Sequence, residues 1–190
     1  MPKTLILPGL DGSPAPHWQH WWAATDPTAL IVDQQDWANP RHEAWEADLA
    51  GAILTHPGCI LVGHSLGAVL AARMLTRWPQ LKVSAALLVA PANPDISPRL
   101  ASFAGLPDQP LGVPTTLVAS RNDPWMSFAQ SRHLARVWGA DLVDIGFAGH
   151  VNIASGFGPW PAGLTLRDDL AQRIGLPVHR QPSAPHRASA

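Results

Sequence analysis

Three side chains that lie far apart along the chain are of the right types to carry out acyl transfer together. Ser65 is the centre of Gly63-His64-Ser65-Leu66-Gly67, the Gly-x-Ser-x-Gly pattern of a nucleophile elbow. Apolar Cys59-Ile60-Leu61-Val62 leads into it and the alanine-rich run Ala68 to Leu75 leads out. The serine therefore falls where a strand turns sharply into a helix, with its hydroxyl held clear of the sheet. Gly63 and Gly67 lack a Cβ, so strand and helix can pass closely on either side. The same glycines could simply punctuate a loop; the strand-before, helix-after context favours the elbow. A serine nucleophile needs a base, and the base an orienting carboxylate. In this arrangement the order is Ser, then Asp or Glu, then His, each partner just past the end of a later strand. Asp123 fits, in Ser120-Arg121-Asn122-Asp123-Pro124 after the apolar run ending at Ala119. His150 fits, in Gly146-Phe147-Ala148-Gly149-His150 after Leu142 to Ile145. Taken singly, Asp123 could be an Asx turn and His150 an exposed loop histidine. Their order and strand-end placement agree with each other, at the rim where open α/β sheets hold ligands.

An oxyanion needs two backbone amides. The amide of Leu66 opens the helix after the elbow and can face the developing charge. The loop after the first strand supplies the second. Here that loop is Pro8-Gly9-Leu10-Asp11-Gly12, with the amide of Leu10 the first candidate and that of Asp11 the alternative. The loop lacks both Gly-x-Gly-x-x-Gly and a Lys-Ser/Thr ending, which argues against a phosphate-binding role. Trp125, just past Asp123-Pro124, and Trp18 are candidates for the acyl pocket, with the structural core as the competing role for both and for Trp160. His64 is expected to pack beside the elbow. His17, His20, His42, His56 and His133 fall on helices or helix ends, and His179 and His186 in the tail. Asp95 and Asp108 are rival acids but follow an earlier strand; Asp141 and Asp144 lie in or beside the last one. No His/Cys/Asp/Glu grouping has ligand-like spacing, so neither a metal nor a cofactor is expected.

The elements that must position these groups follow from apolar pattern and turn chemistry. Strands are expected at Lys3–Leu7, Ala29–Val32, into the elbow at 59–62, Val83–Ala90, Val113–Ala119 and Leu142–Ile145. Helices are expected over Pro16–Ala24, from Pro40 with Asn39 as N-cap, after the elbow, over Trp125–Trp138 and over Leu164–Ile174. Pro91 to Pro110 reads as a loop with one helical turn at Arg99–Phe103. Strands alternating with helices predict a single α/β domain over residues 1–175, its parallel sheet covered by helices on both faces and with no large cap domain. From Leu176 to Ala190 the chain is rich in Pro, Arg, Ser and His, and a disordered tail is expected.

Composition bounds the rest. The chain has 190 residues and a formal net charge of −1, which gives no electrostatic case for nucleic acid or an anionic membrane. No run is long and apolar enough to span a bilayer. The apolar start at Thr4 to Leu7 is too short for a signal sequence and is broken by Pro8-Gly9. A single cysteine, Cys59, cannot form an internal disulfide and suits a reducing compartment, so a cytoplasmic location is expected. Nine tryptophans beside no tyrosine is an unusual usage, and several of the tryptophans cluster near these motifs.

These motifs also resemble a known family. Gly63-His64-Ser65-Leu66-Gly67, Ser120-Arg121-Asn122-Asp123, and Gly149-His150 followed by Gly156-Phe157-Gly158 and Trp160-Pro161 are similar to those of the small serine hydrolases typified by retinoblastoma-binding protein nine and its bacterial relatives. Pro8-Gly9, His17-Trp18, and Gln35-Asp36-Trp37 with Pro40 and Trp45 extend the match, which covers about residues 3 to 174. The resemblance implies a compact α/β-hydrolase, a Ser65–Asp123–His150 triad, and activity on small-molecule esters or amides. The vertebrate member's pocket-protein motif, Leu-x-Cys-x-Glu, does not occur in this chain, so that partner is not carried over. The expected reaction is acyl transfer to water through an acyl-enzyme. The alternatives are a catalytically idle binding domain on the same fold, and an acyltransferase. The oligomeric state, monomer or small homo-oligomer, is open.

Overall fold

The computed structural model describes residues 1–178. Six strands form one parallel sheet in the order β2-β1-β3-β4-β5-β6: β1 Thr4–Leu7, β2 Ala29–Ile31, β3 Cys59–His64, β4 Val83–Val89, β5 Thr115–Ala119 and β6 Asp141–Asp144. The helices are α1 Trp18–Thr25, α2 His42–Thr55, α3 Leu66–Arg77, α4 Phe128–Trp138 and α5 Pro161–Arg173. The register brings Leu7 beside Gly63 and His64 beside Val89, so β1, β3 and β4 end together at one rim. Helices cover both faces, as the alternation of elements requires. One core joins α2, α3 and α4 to the sheet through residues such as Leu49, Val69 and Leu134. The other joins α1 and α5 through Trp18, Trp22 and Leu170. This double cover is why β3 is buried at every position and reads as an unbroken apolar run.

Helix α3 lies at the centre of the molecule and is buried from Leu66 through Leu75. Its alanines let it approach the sheet closely, and the two elbow glycines are needed for that approach. A Cβ on Gly63 would sit 2.5 Å from the carbonyl oxygen of Gly67, and one on Gly67 would run into the carbonyl of Leu7. Below the second core, Arg167 is buried and joins three elements, bonding Asp26 at 2.7 Å and the Thr4 hydroxyl at 2.6 Å. Burial alone would raise the Asp26 carboxyl, but the Thr28 hydroxyl and amide, with Arg167, hold it below the ordinary carboxylate range.

Several element boundaries differ from the sequence expectation. Asn39 does not cap α2: its amide donates to Asp36 Oδ1 at 3.0 Å, which holds it in a turn, and the helix starts at His42 after Arg41. Helix α4 starts at Phe128 rather than Trp125, because Ser127 is the N-cap and accepts from the Gln130 amide. Helix α5 starts earlier than expected, with Pro161 in its first turn. The segment after β4 forms two 3-10 turns, Pro94–Ile96 and Pro98–Phe103, rather than one helical turn. Residues 179–190 of the expected tail lie outside the described residues, whereas Leu176 and Val178 pack against the second core.

Candidate active site

The elbow is built as its residue types demand. Ser65 adopts φ 56° and ψ −120°, a conformation costly for any residue with a Cβ. It is held there from both sides: its amide donates to Val89 O at 3.0 Å, and its carbonyl accepts from Ala68 N at 3.1 Å and Ala92 N at 3.3 Å. Gly9, at the end of β1, lies so near that a Cβ there would be 2.8 Å from Ser65 Cβ.

His150 and Asp123 reach the serine from two loops stitched together at the ends of β5 and β6. Arg121 N donates to Gly146 O at 2.7 Å. Asn122 Oδ1 accepts from Gly149 N at 2.8 Å, and Ser120 Oγ accepts from Ala148 N at 3.0 Å. Beyond the histidine, Ser155 Oγ accepts from His150 N at 3.0 Å and donates to Asn152 Oδ1 at 3.0 Å. The result is one hydrogen-bonded chain. His150 Nδ1 lies 2.9 Å from each Asp123 oxygen, and Nε2 lies 2.8 Å from Ser65 Oγ. A carboxylate can only accept, so the ring proton is on Nδ1 and Nε2 is free to accept from the serine hydroxyl. Asp123 and His150 are both almost fully buried, which shields the pair from solvent screening. The rival acids stand elsewhere: Asp144 pairs with Arg121 and Asp141 with Arg173.

The two amides first expected to face an oxyanion are unengaged. Among the described residues, neither Leu66 N nor Leu10 N donates to a backbone or side-chain acceptor. The alternative, Asp11 N, donates to Trp37 O at 2.9 Å and is thereby taken out of play. The Asp11 carboxylate is gripped by Arg99 at 2.6 Å and 3.1 Å, and Arg99 also donates to Ala38 O, so the loop bearing Leu10 is anchored to the segment after β4.

Beside Ser65 opens a cavity of about 270 Å3, with Leu10, Leu100, Trp125 and Ile153 among its apolar walls and His17, His150 and Asn152 among its polar ones. Trp125 thus lines the cavity, as one of its two expected roles requires. Trp18 does not: it is fully buried, its Nε1 donates to Val151 O at 2.9 Å, and its ring packs on Trp22 and Trp160. An indole with its one polar atom satisfied inside the core has no surface left for a substrate, so Trp18 is corrected to a core residue. Among the described residues, no group of three His, Cys, Asp or Glu side chains is placed to hold a metal ion.

Two further histidines belong to this site. His64 lies beside His150 at 5.0 Å between ring centroids, and its Nε2–H donates to the His150 carbonyl at 2.8 Å. Burial, then the neighbouring His150 and His17, pushes its pKa well down, so it is a fixed neutral donor that holds the loop of His150. His17 caps α1, its Nδ1 accepting from Gln19 N. In the sequence His17 falls near the start of an expected helix and in the His17-Trp18 pair of the family resemblance, and neither signal marks it for the site.

Comparisons with known proteins bear on the family and the fold. A model of the serine hydrolase family matches residues 4–169. No curated protein sequence matches the chain. A Pectobacterium atrosepticum protein described as a YdeN-like hydrolase is 34% identical, with a TM-score of 0.83 over 92% of each chain. The ydeN gene product of B. subtilis is 22% identical, with a TM-score of 0.74 over 90% of this chain and 100% of its own. The esterase RhEst1 of a Rhodococcus species is 14% identical, with a TM-score of 0.68 over 90% of each, a likeness of fold alone. With its elbow serine in place and the family model matched from β1 into α5, the chain belongs to the serine hydrolase family.

Proposed function

We propose that this hydrolase cleaves small carboxylic esters, and amides more slowly, through an acyl-enzyme on Ser65. The observation that carries the reading is the unbroken contact from Asp123 through His150 to Ser65 Oγ at the floor of an open cavity. As Ser65 Oγ attacks the substrate carbonyl carbon, its proton passes to His150 Nε2. Asp123 keeps the imidazole in the productive tautomer and stabilises the imidazolium. The amides of Leu66 and Leu10 receive the oxyanion. His150 then gives its proton to the leaving oxygen, and a water deprotonated by the same nitrogen attacks the acyl group and frees Ser65. This chemistry calls for no cofactor.

The cavity, about 270 Å3, is at the lower edge of small-molecule sites, which span about 300–1,000 Å3, and it favours short substrates. The lone thiol, Cys59, is buried, and burial raises its pKa to about 11, which makes it inert and compatible with the reducing cytoplasm in which we place the enzyme. A panel of 4-nitrophenyl esters of increasing acyl length tests the proposal. Turnover is expected to peak at short acyl groups and to fall on the order of 10⁶-fold in Ser65→Ala. Undiminished turnover in that variant would overturn it.

A further inference from the structure

Most polar side chains facing the cavity are already engaged by the protein. The Asp11 carboxylate is held by Arg99 through both oxygens. His64 spends its Nε2–H on the His150 carbonyl. Asn152 accepts from Ser155 through Oδ1 and is half-buried, so solvent can serve its amide nitrogen. His17 is different. It is 6% exposed, it lines the cavity, and its Nδ1 accepts from the Gln19 amide at 3.2 Å. A neutral imidazole that accepts at Nδ1 carries its proton on Nε2. Among the described residues, that Nε2–H has no acceptor, and it is not one of the atoms sealed from solvent without a partner.

The ring is also rigidly placed. It sits against Trp18 at 5.5 Å and His64 at 5.1 Å between centroids, and its Nδ1 is tied to the start of α1. Burial, then the nearby His150, lowers its pKa to about 4, so at neutral pH it is a donor without charge. Capping does not explain the choice of residue, because Ser, Asp and Asn cap helices better than histidine does. What histidine adds is a second nitrogen on the far side of the ring.

We propose that His17 Nε2–H donates a hydrogen bond to a second oxygen of the substrate, so that the enzyme selects esters carrying an ether, hydroxyl or keto oxygen a few bonds from the scissile carbonyl. The inference rests on the reading of Ser65 as nucleophile. A plain alkyl group in the same space displaces water from Nε2–H and offers no acceptor in return, and a buried donor left unpaired penalises binding. The donor is neutral, so the favoured group is a neutral oxygen rather than a carboxylate, whose desolvation a neutral imidazole would not offset.

Two isosteric substrate pairs test the assignment. 4-Nitrophenyl methoxyacetate against 4-nitrophenyl butyrate places the oxygen on the acyl side; 2-methoxyethyl butyrate against butyl butyrate places it on the alcohol side. Each kcat/KM is divided by the rate of alkaline hydrolysis, which removes intrinsic reactivity. The wild type is expected to prefer the oxygen-bearing member of at least one pair about five- to tenfold, the worth of a neutral hydrogen bond in a desolvated site. His17→Asn puts an amide where Nδ1 lies and keeps the cap but does not reach the cavity, so the preference should vanish. His17→Gln puts an amide nitrogen near the place of Nε2 and should restore part of it. A wild-type preference below twofold in both pairs, or one that persists in His17→Asn, overturns the proposal, and the wild-type arm does not depend on any variant folding. Flat ratios in an enzyme that Ser65→Ala silences would sink the His17 assignment alone. Turnover that survives Ser65→Ala would sink the reading beneath it.

Discussion

The backbone of Ser65 allows the strain at the elbow to be measured separately from catalysis. Ser65→Ala and Ser65→Gly both remove the hydroxyl, so both should be inactive, and they differ only in whether a Cβ remains at φ 56°, ψ −120°. Holding a non-glycine residue in such a region costs on the order of 1–3 kcal/mol. Glycine relieves that cost, but it also frees the unfolded chain, which offsets about 0.4–1 kcal/mol. The buried methyl it gives up offsets up to about 0.8 kcal/mol more. With the strain near the middle of its range, Ser65→Gly should be the more stable of the two by roughly 0.5 kcal/mol, which for a chain of this size is a melting point higher by about 1–2 °C. At an unstrained buried site the order would be reversed, since both remaining effects favour alanine. Paired urea unfolding curves with a common slope resolve the difference. If Ser65→Gly is less stable than Ser65→Ala by about 0.5 kcal/mol or more, the strain argument is refuted.

Three more outcomes follow from the same contacts. Gly67→Ala would drive a Cβ into the carbonyl of Leu7, where only backbone can yield; a loss of about 1–3 kcal/mol in urea unfolding is expected, and a change within experimental error would contradict the close approach. Asp123→Asn keeps an oxygen for the Trp125 amide but can turn an NH2 toward His150 Nδ1, which favours the wrong tautomer; kcat should fall on the order of 10⁴-fold in a folded protein, and a loss of less than tenfold would count against the assigned role. His17, with a pKa of about 4, and His64, also pushed well down, stay neutral in the native state while the unfolded chain takes up protons below the ordinary value of 6.5. The unfolded state therefore binds more protons in acid, and stability should fall as pH drops from 6.5 toward 4. Urea midpoints at pH values across that window should fall less for His17→Asn than for the wild type, and equal falls would count against the buried neutral ring.

That Ser65, Asp123 and His150 could meet was legible in the chain because each is tied to a local signal. Ser65 is flanked by the two glycines the elbow needs, and Asp123 and His150 each follow an apolar strand by a few residues. The sheet was legible because buried parallel strands read as apolar runs. What could not be read depended on long-range contacts. Sequence puts Leu10 ahead of Asp11 as a candidate oxyanion donor without removing Asp11, whose amide is taken up by the Trp37 carbonyl only in the folded chain. Trp18 and Trp125 are alike as pocket candidates until the fold buries one among Trp22 and Trp160 and leaves the other lining the cavity beside Ser65. Asn39 has the right type for an N-cap, but its backbone amide and its side-chain nitrogen both donate to Asp36, which holds it in a turn ahead of the helix. His17 and His64 were placed on a helix end and beside the elbow, yet their bonds to Gln19 and to the His150 carbonyl need the folded chain.

The most direct test of the account is covalent capture of the nucleophile. A fluorophosphonate probe incubated with the folded protein, followed by peptide mass mapping, should place one adduct on Ser65, and the adduct should be absent from Ser65→Ala. Folded protein that takes up no probe, or an adduct on another side chain with Ser65 unmodified, would contradict the account.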